Sequence, residues 1–217
     1  MTRRCFLFLA ALACLAPSLP AQPQRWEKAI QTFEQQDRLH PPPKRGVVFI
    51  GSSSIRLWDL EKHFPGLPVV NRGFGGSQIA DSTYYAPRIL LPLEPRIVVL
   101  YAGDNDIAAG KSPEQVFADF EEFAATVHRP LPATRIVFIA IKPSLARWHL
   151  VKKMRRANAL IREAARKNPL IDFVDIDGPM IGQDGKPRAE LFRADGLHLN
   201  EKGYALWTRL LRPYLGP

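Results

Sequence analysis

The residue types able to do covalent chemistry gather in four short segments: Gly51-Ser52-Ser53-Ser54, Gly73-Phe74-Gly75-Gly76, Gly103-Asp104-Asn105-Asp106 and Asp195-Gly196-Leu197-His198. A serine hydroxyl becomes a nucleophile when a neighbouring base takes its proton. An aspartate three residues before a histidine, in a loop, lets the carboxylate accept the Nδ1 proton while Nε2 faces outward as that base. Acidification should therefore silence the site, because a protonated imidazole cannot accept the serine proton. Spacing alone does not say which of the three serines reacts; Ser52 and Ser54 also suit capping of the following helix. Asp106 is expected to cap the chain that follows it, with assistance to Asn105 as the second reading. The Gly-x-Gly-Gly spacing differs from the dinucleotide fingerprint, so no cofactor is expected. No His/Asp/Glu cluster has metal-ligand spacing. His40, His63, His128 and His149 lack an equivalent setting and are read as surface residues.

The first three of these segments each follow an apolar run. Val47–Ile50, Pro68–Val70, Ile97–Tyr101, Arg135–Ile141 and Ile171–Asp175 read as strands, and unbroken apolar runs mark buried parallel strands. Between them lie helical patterns. Arg25 to Gln36 has helical spacing, ended by Pro41-Pro42-Pro43, and Ser77 to Tyr85 reads as a helix. Ser112-Pro113-Glu114-Gln115 opens a helix to about Val127, a basic amphipathic helix runs to about Lys167, and Asn200 caps a last one from Glu201 to Leu211. Five alternations of strand and helix predict an α/β fold, a three-layer α/β/α sandwich with a five-stranded parallel sheet, flavodoxin-like in plan. Functional groups collect at the carboxyl ends of such strands. The three polar turns then share one rim, with the Asp195–His198 loop folding back towards it.

The order of these blocks resembles the SGNH superfamily of serine ester hydrolases, the GDSL-like esterases and lipases. The likeness spans nearly all of the chain after its first segment: a serine block after strand one, Asn-Arg-Gly-x-x-Gly after strand two, Gly-x-Asn-Asp after strand three, and Asp-x-x-His before the last helix. It implies Ser53 as nucleophile, Gly76 and Asn105 with the Ser53 amide as oxyanion-hole donors, Asp195 as orienting acid and His198 as base. The opening block departs from Gly-Asp-Ser-Leu at Ser52 and Ser54. The aspartate replaced by Ser52 is not a triad member. Pro143-Ser144-Leu145-Ala146-Arg147-Trp148 follows strand four on the same rim, which makes Arg147 and Trp148 candidate substrate contacts, Trp148 offering a stacking face to a sugar ring.

The chain has 217 residues, 46% hydrophobic and 24% charged, as expected for one domain. Residues 1–21 read as a signal peptide, with Arg3 and Arg4 before an apolar run from Cys5 to Ala16 and a small-residue end at Leu19-Pro20-Ala21. That leaves residues 22–217 as the hydrolase domain, exported to the periplasm or beyond, and carries away both cysteines, Cys5 and Cys14. Lipid attachment at Cys14 is a minor alternative. The apolar run is too short to span a bilayer. The formal charge is +9, of which Arg3 and Arg4 supply two. The tight basic group Lys152-Lys153-Arg155-Arg156 lies in a helical pattern and reads as a solvated face, not a nucleic-acid patch. No long apolar loop suggests a lipase lid, so a short-acyl ester of a carbohydrate or small molecule is the expected substrate. A lysophospholipase or thioesterase with the same triad, or a non-catalytic phosphate- or carbohydrate-binding module, are the alternative readings; oligomeric state is left open.

Overall fold

Five strands, all parallel, form one sheet in the order β2-β1-β3-β4-β5: β1 is Val47–Gly51, β2 Val69–Gly73, β3 Ile97–Tyr101, β4 Arg135–Ile139 and β5 Ile171–Val174. The computed structural model describes residues 23–216, so the segment 1–21 read as a signal peptide, with Cys5 and Cys14, lies outside the described residues. Along the central strands, alternate residues serve two separate cores. Val48, Ile50, Val98, Leu100, Ile136 and Phe138 face one core, while Val47, Phe49, Ile97, Val99, Tyr101 and Val137 face the other. Both faces are covered, which is why these strands are apolar at every position but Arg135, at the start of β4.

The first core is closed by α1 (Glu27–Leu39) through Ile30, and it takes Ile79, Tyr85 and Ile89 from a helix spanning Ile79–Ile89. On the second face lie two single turns, α2 (Ser53–Arg56) and α3 (Leu60–His63), with Ile55, Trp58 and Phe64 buried there. Helix Ile79–Ile89 is α4, and the turn Asp104–Ala108 is α5. The first face is completed by α6 (Pro113–His128) and α7 (Val151–Lys167). The second is completed by the turn α8 (Asp177–Met180) and by α9 (Glu201–Leu211), which buries Tyr204, Trp207 and Leu211. The result is the three-layer sandwich.

Capping fixes the helix starts. Ser112 accepts from the Gln115 amide at 3.1 Å while Gln115 accepts from the Ser112 amide at 2.8 Å, with Pro113 at the first helical position. Asn200 accepts from the Lys202 and Gly203 amides at 2.9 and 3.2 Å.

Three expectations need correction. β2 runs on to Gly73, because Asn71 spends its side chain on the Ile55 and Trp58 carbonyls and Arg72, 4% exposed, is paired with Asp37. β4 stops at Ile139: the Ile141 amide and carbonyl are instead taken by the Asn158 side chain at 2.8 and 2.9 Å. His63 is buried, not on the surface, with Nδ1 2.9 Å from Thr208 Oγ1, and His128 is half-buried beside the Thr134 carbonyl. His40 and His149 are exposed, as are Lys152, Lys153, Arg155 and Arg156.

Candidate active site

β1 ends at Gly51, whose φ of +137° and whose approach to β3 exclude any side chain: a Cβ would sit 1.9 Å from the Tyr101 carbonyl oxygen. The Ser52 amide donates to that same carbonyl at 3.0 Å, so the chain turns sharply out of the sheet and Ser53 opens α2 at the rim. The three serines are then distinct. Ser53 Oγ lies 3.0 Å from His198 Nε2. Ser54 Oγ lies 3.4 Å from the buried Lys142 Nζ. Ser52 stands at the cap position of α2, but its hydroxyl makes no capping bond and is buried without a partner, against the capping role expected for it. Ser52→Ala should therefore leave stability unchanged or raise it by up to about 1 kcal/mol, since it removes an unsatisfied buried hydroxyl; urea unfolding checks this. A loss above that size would mean the hydroxyl has a partner that matters.

The loop before α9 is tied by its own backbone. Arg193 N donates to the His198 carbonyl at 2.8 Å, and Gly196 N to the Arg193 carbonyl at 2.9 Å. Within it Asp195 Oδ1 accepts from the Leu197 and His198 amides, both at 2.9 Å, leaving Oδ2 2.7 Å from His198 Nδ1. The His198 ring bond, helped by the two amides, holds the Asp195 carboxyl far below the usual carboxylate range. Asp195, His198 and Ser53 thus form one hydrogen-bonded line from the far end of the chain to its early part.

This line opens into a pocket of about 550 Å³ whose walls include Gly76, Asn105 and Arg147. Gly76 has φ +79°. Asn105 Nδ2 donates one proton to the Ser77 carbonyl at 3.0 Å, and its Oδ1 accepts from Arg147 at 3.0 Å, so the amide is held one way round with a second N–H to spare. Arg147 also donates to Asp104 at 2.9 Å. Trp148 does not line the pocket; it lies beneath Arg155, whose guanidinium carbon is 5.6 Å from its ring centre. Asp106 does not cap the chain after it. Fully buried, it accepts from the Ile79 amide at the start of α4 at 3.3 Å and from Lys111 at 3.1 Å, and burial pushes its carboxyl up to about 6 against the pull of Lys111.

The sequence reading missed Arg25, Trp26, Arg56 and Phe74, all of which line the pocket. In the sequence Trp26 falls inside the Arg25–Gln36 helical spacing and is visible only as part of it. In the fold it precedes α1, donates its indole N–H to the Gly75 carbonyl at 2.9 Å and packs edge-on against Phe74. Among the described residues no three His, Cys, Asp or Glu side chains are placed to hold a metal ion, and no helix is long and apolar enough to cross a membrane.

A family model described as the GDSL-like lipase/acylhydrolase family matches residues 56–206, beginning three residues after Ser53 and including Gly76, Asn105, Asp195 and His198. Platelet-activating factor acetylhydrolase IB subunit alpha2 of Rattus norvegicus is 25% identical over 166 residues, 73% of this chain and 71% of that protein. A solved structure from Streptococcus pneumonia has a TM-score of 0.80 at 23% identity, covering 89% of this chain and 94% of that one. A catalytic mutant of an acetylxylan esterase from Geobacillus stearothermophilus has a TM-score of 0.65 at 15% identity, covering 81% and 96%. The family match extends over most of the sheet and both ends of the rim, and the chain belongs to the GDSL-like lipase/acylhydrolase family, as a serine ester hydrolase.

Proposed function

We propose that this chain is an exported short-acyl esterase, acting on acetyl esters of carbohydrates or of other small alcohols, with Ser53 as nucleophile, His198 as base and Asp195 as its orienting acid. The observation that carries the reading is the continuous Asp195–His198–Ser53 line, with steps of 2.7 and 3.0 Å, opening into the pocket. His198 Nε2 takes the proton as Ser53 Oγ attacks the ester carbonyl. It returns that proton to the leaving alkoxide, and then activates water to release the acyl group. The tetrahedral oxyanion is held by the Ser53 and Gly76 amides and the spare Asn105 N–H. Acetyl as the acyl group is supported by two relatives whose names specify acetyl ester hydrolysis, the rat acetylhydrolase and the bacterial acetylxylan esterase.

The test is hydrolysis of p-nitrophenyl esters from acetate to decanoate by residues 22–217, with a fluorophosphonate label located by mass spectrometry. Highest kcat/KM on acetate and a label on Ser53 are expected. Preference for the long chains, or a label elsewhere, would overturn the reading. Export is tested by fractionation, with a mature N-terminus near residue 22.

Asn105→Ala should lower kcat by about 100-fold or more, the size of effect that loss of one oxyanion donor produces, with KM little changed. Steady-state kinetics on p-nitrophenyl acetate checks it. A change confined to KM would assign Asn105 to ground-state binding instead.

A further inference from the structure

Three arginines line the pocket, and they are not equivalent. Arg147 is neutralised by Asp104 and spends its other nitrogen on Asn105. Arg25 and Arg56 are exposed, and neither has a carboxylate within ion-pair distance among the described residues; Arg25 acts on the Asp81 carboxyl at longer range, and that carboxyl accepts from the Gln78 amide. The acids nearest the reacting groups are already committed: Asp195 to His198 and two backbone amides, Asp104 to Lys142 and Arg147.

The two guanidiniums lie against one turn. A Cβ built on Gly76 would lie 3.0 Å from an Arg25 terminal nitrogen, and one on Gly75 would lie 3.0 to 3.3 Å from the Arg56 guanidinium. Both therefore rest on the Gly75–Gly76 turn, which Trp26 braces from its indole N–H. Arg25 is further held over the Trp26 ring, 4.8 Å from its centre. Arg56 stands three residues after Ser53 in the same helical turn, and so on its side of α2. Two exposed cations on one turn at the edge of a reactive pocket, neither in a salt bridge, favour an anion placed between them, and a guanidinium's planar fork fits carboxylate and phosphate oxygens.

We propose that Arg25 and Arg56 form an anion subsite, and that the substrate is an ester whose alcohol half carries a carboxylate or phosphate. The assignment to the alcohol half rests on the short-acyl reading above, since an acetyl group has no room for a charge.

Three matched substrates test it: the same acetyl group on the same hydroxyl of methyl glucoside, of methyl glucuronoside and of methyl glucoside 6-phosphate. Wild-type protein should show kcat/KM about ten-fold or more higher on at least one anionic ester than on the neutral one, the strength expected of charge-assisted hydrogen bonds. Which anionic ester is preferred identifies the group. Added salt should shrink the preference, because the arginines are exposed. In Arg25→Gln/Arg56→Gln the preference should vanish, and in Arg25→Lys/Arg56→Lys part of it should return; thermal melting verifies that each variant is folded. Equal rates on the three esters, or a preference that survives the double glutamine variant, would overturn the subsite. Calorimetric titration of Ser53→Ala with the same three compounds reads the subsite without turnover. If wild type hydrolyses none of them, the esterase reading has failed, and the titration alone decides: tighter anionic binding lost in the glutamine variant upholds the subsite, and equal binding overturns it.

Discussion

Ser53→Ala and His198→Ala should each lower kcat on p-nitrophenyl acetate by about 10⁴- to 10⁶-fold, and the double variant should be no worse than either single one. The reason is that the two groups act as one device. Without the imidazole the hydroxyl keeps its proton; without the hydroxyl the imidazole has nothing to activate but water. The 3.0 Å separation of His198 Nε2 from Ser53 Oγ places them in contact already. A residual rate well above background should persist, from the oxyanion donors and binding alone. The His198 ring and the His198 and Leu197 amides hold Asp195 below the usual carboxylate range, so mildly acidic pH should not abolish activity by protonating Asp195. Losses that multiply in the double variant would show that the two groups act independently, and near wild-type kcat in either single variant would remove that residue from the chemistry.

How much of this was legible in the sequence depends on the range of the interactions involved. The existence and order of the strands, the Ser112 and Asn200 caps and the Asp195–His198 loop are decided within a few residues and appear as read, while the ends of β2 and β4 do not. The rim also followed, because three of its segments are strand ends of a parallel sheet. The choice among Ser52, Ser53 and Ser54 did not follow from local physics, since it is set by which hydroxyl faces an imidazole 145 positions away. Long-range partners hid the rest. Asn71 and Arg72 look like a turn until Asp37 and the α2 carbonyls satisfy them. His63 looks exposed until Thr208 covers it. Arg25 and Trp26 reach the pocket only because the segment just before α1 lies against the Gly75–Gly76 turn. Lys142, directly after an apolar strand, gave no sign that its charge would be enclosed.

That enclosure predicts the largest stability effect. Lys142 is 1% exposed, with Nζ donating to the Tyr101 hydroxyl at 2.9 Å and lying 3.1 Å from Asp104. Burial works against both charges, yet each is outweighed: Asp104 and Tyr101 raise Lys142 above the usual lysine range, and Lys142 with Arg147 holds Asp104 below the usual carboxylate range. Lys142→Met keeps the length of the side chain but strands a buried carboxylate on Arg147 alone and leaves the Tyr101 hydroxyl without its partner. A loss of about 3 kcal/mol is expected from urea unfolding at neutral pH, the lower end for breaking a buried pair because Arg147 remains. Adding Asp104→Asn to Lys142→Met should recover more than half of it, since no unpaired charge is then buried. The sign of the pH dependence follows from the two shifts. Asp104 stabilises the fold above its ordinary carboxylate pKa of about 3.9, and that contribution is lost as pH falls through its lower folded value; Lys142 stabilises below about 10.4 and its contribution is lost as pH rises through its higher folded value. In Lys142→Met the carboxylate takes up a proton more readily, so the deficit against wild type should shrink on acidification; a deficit independent of pH would place the effect in packing instead of charge. The same substitution should lower kcat more than it changes KM, because Asp104 anchors Arg147 and Arg147 sets the orientation of the Asn105 amide.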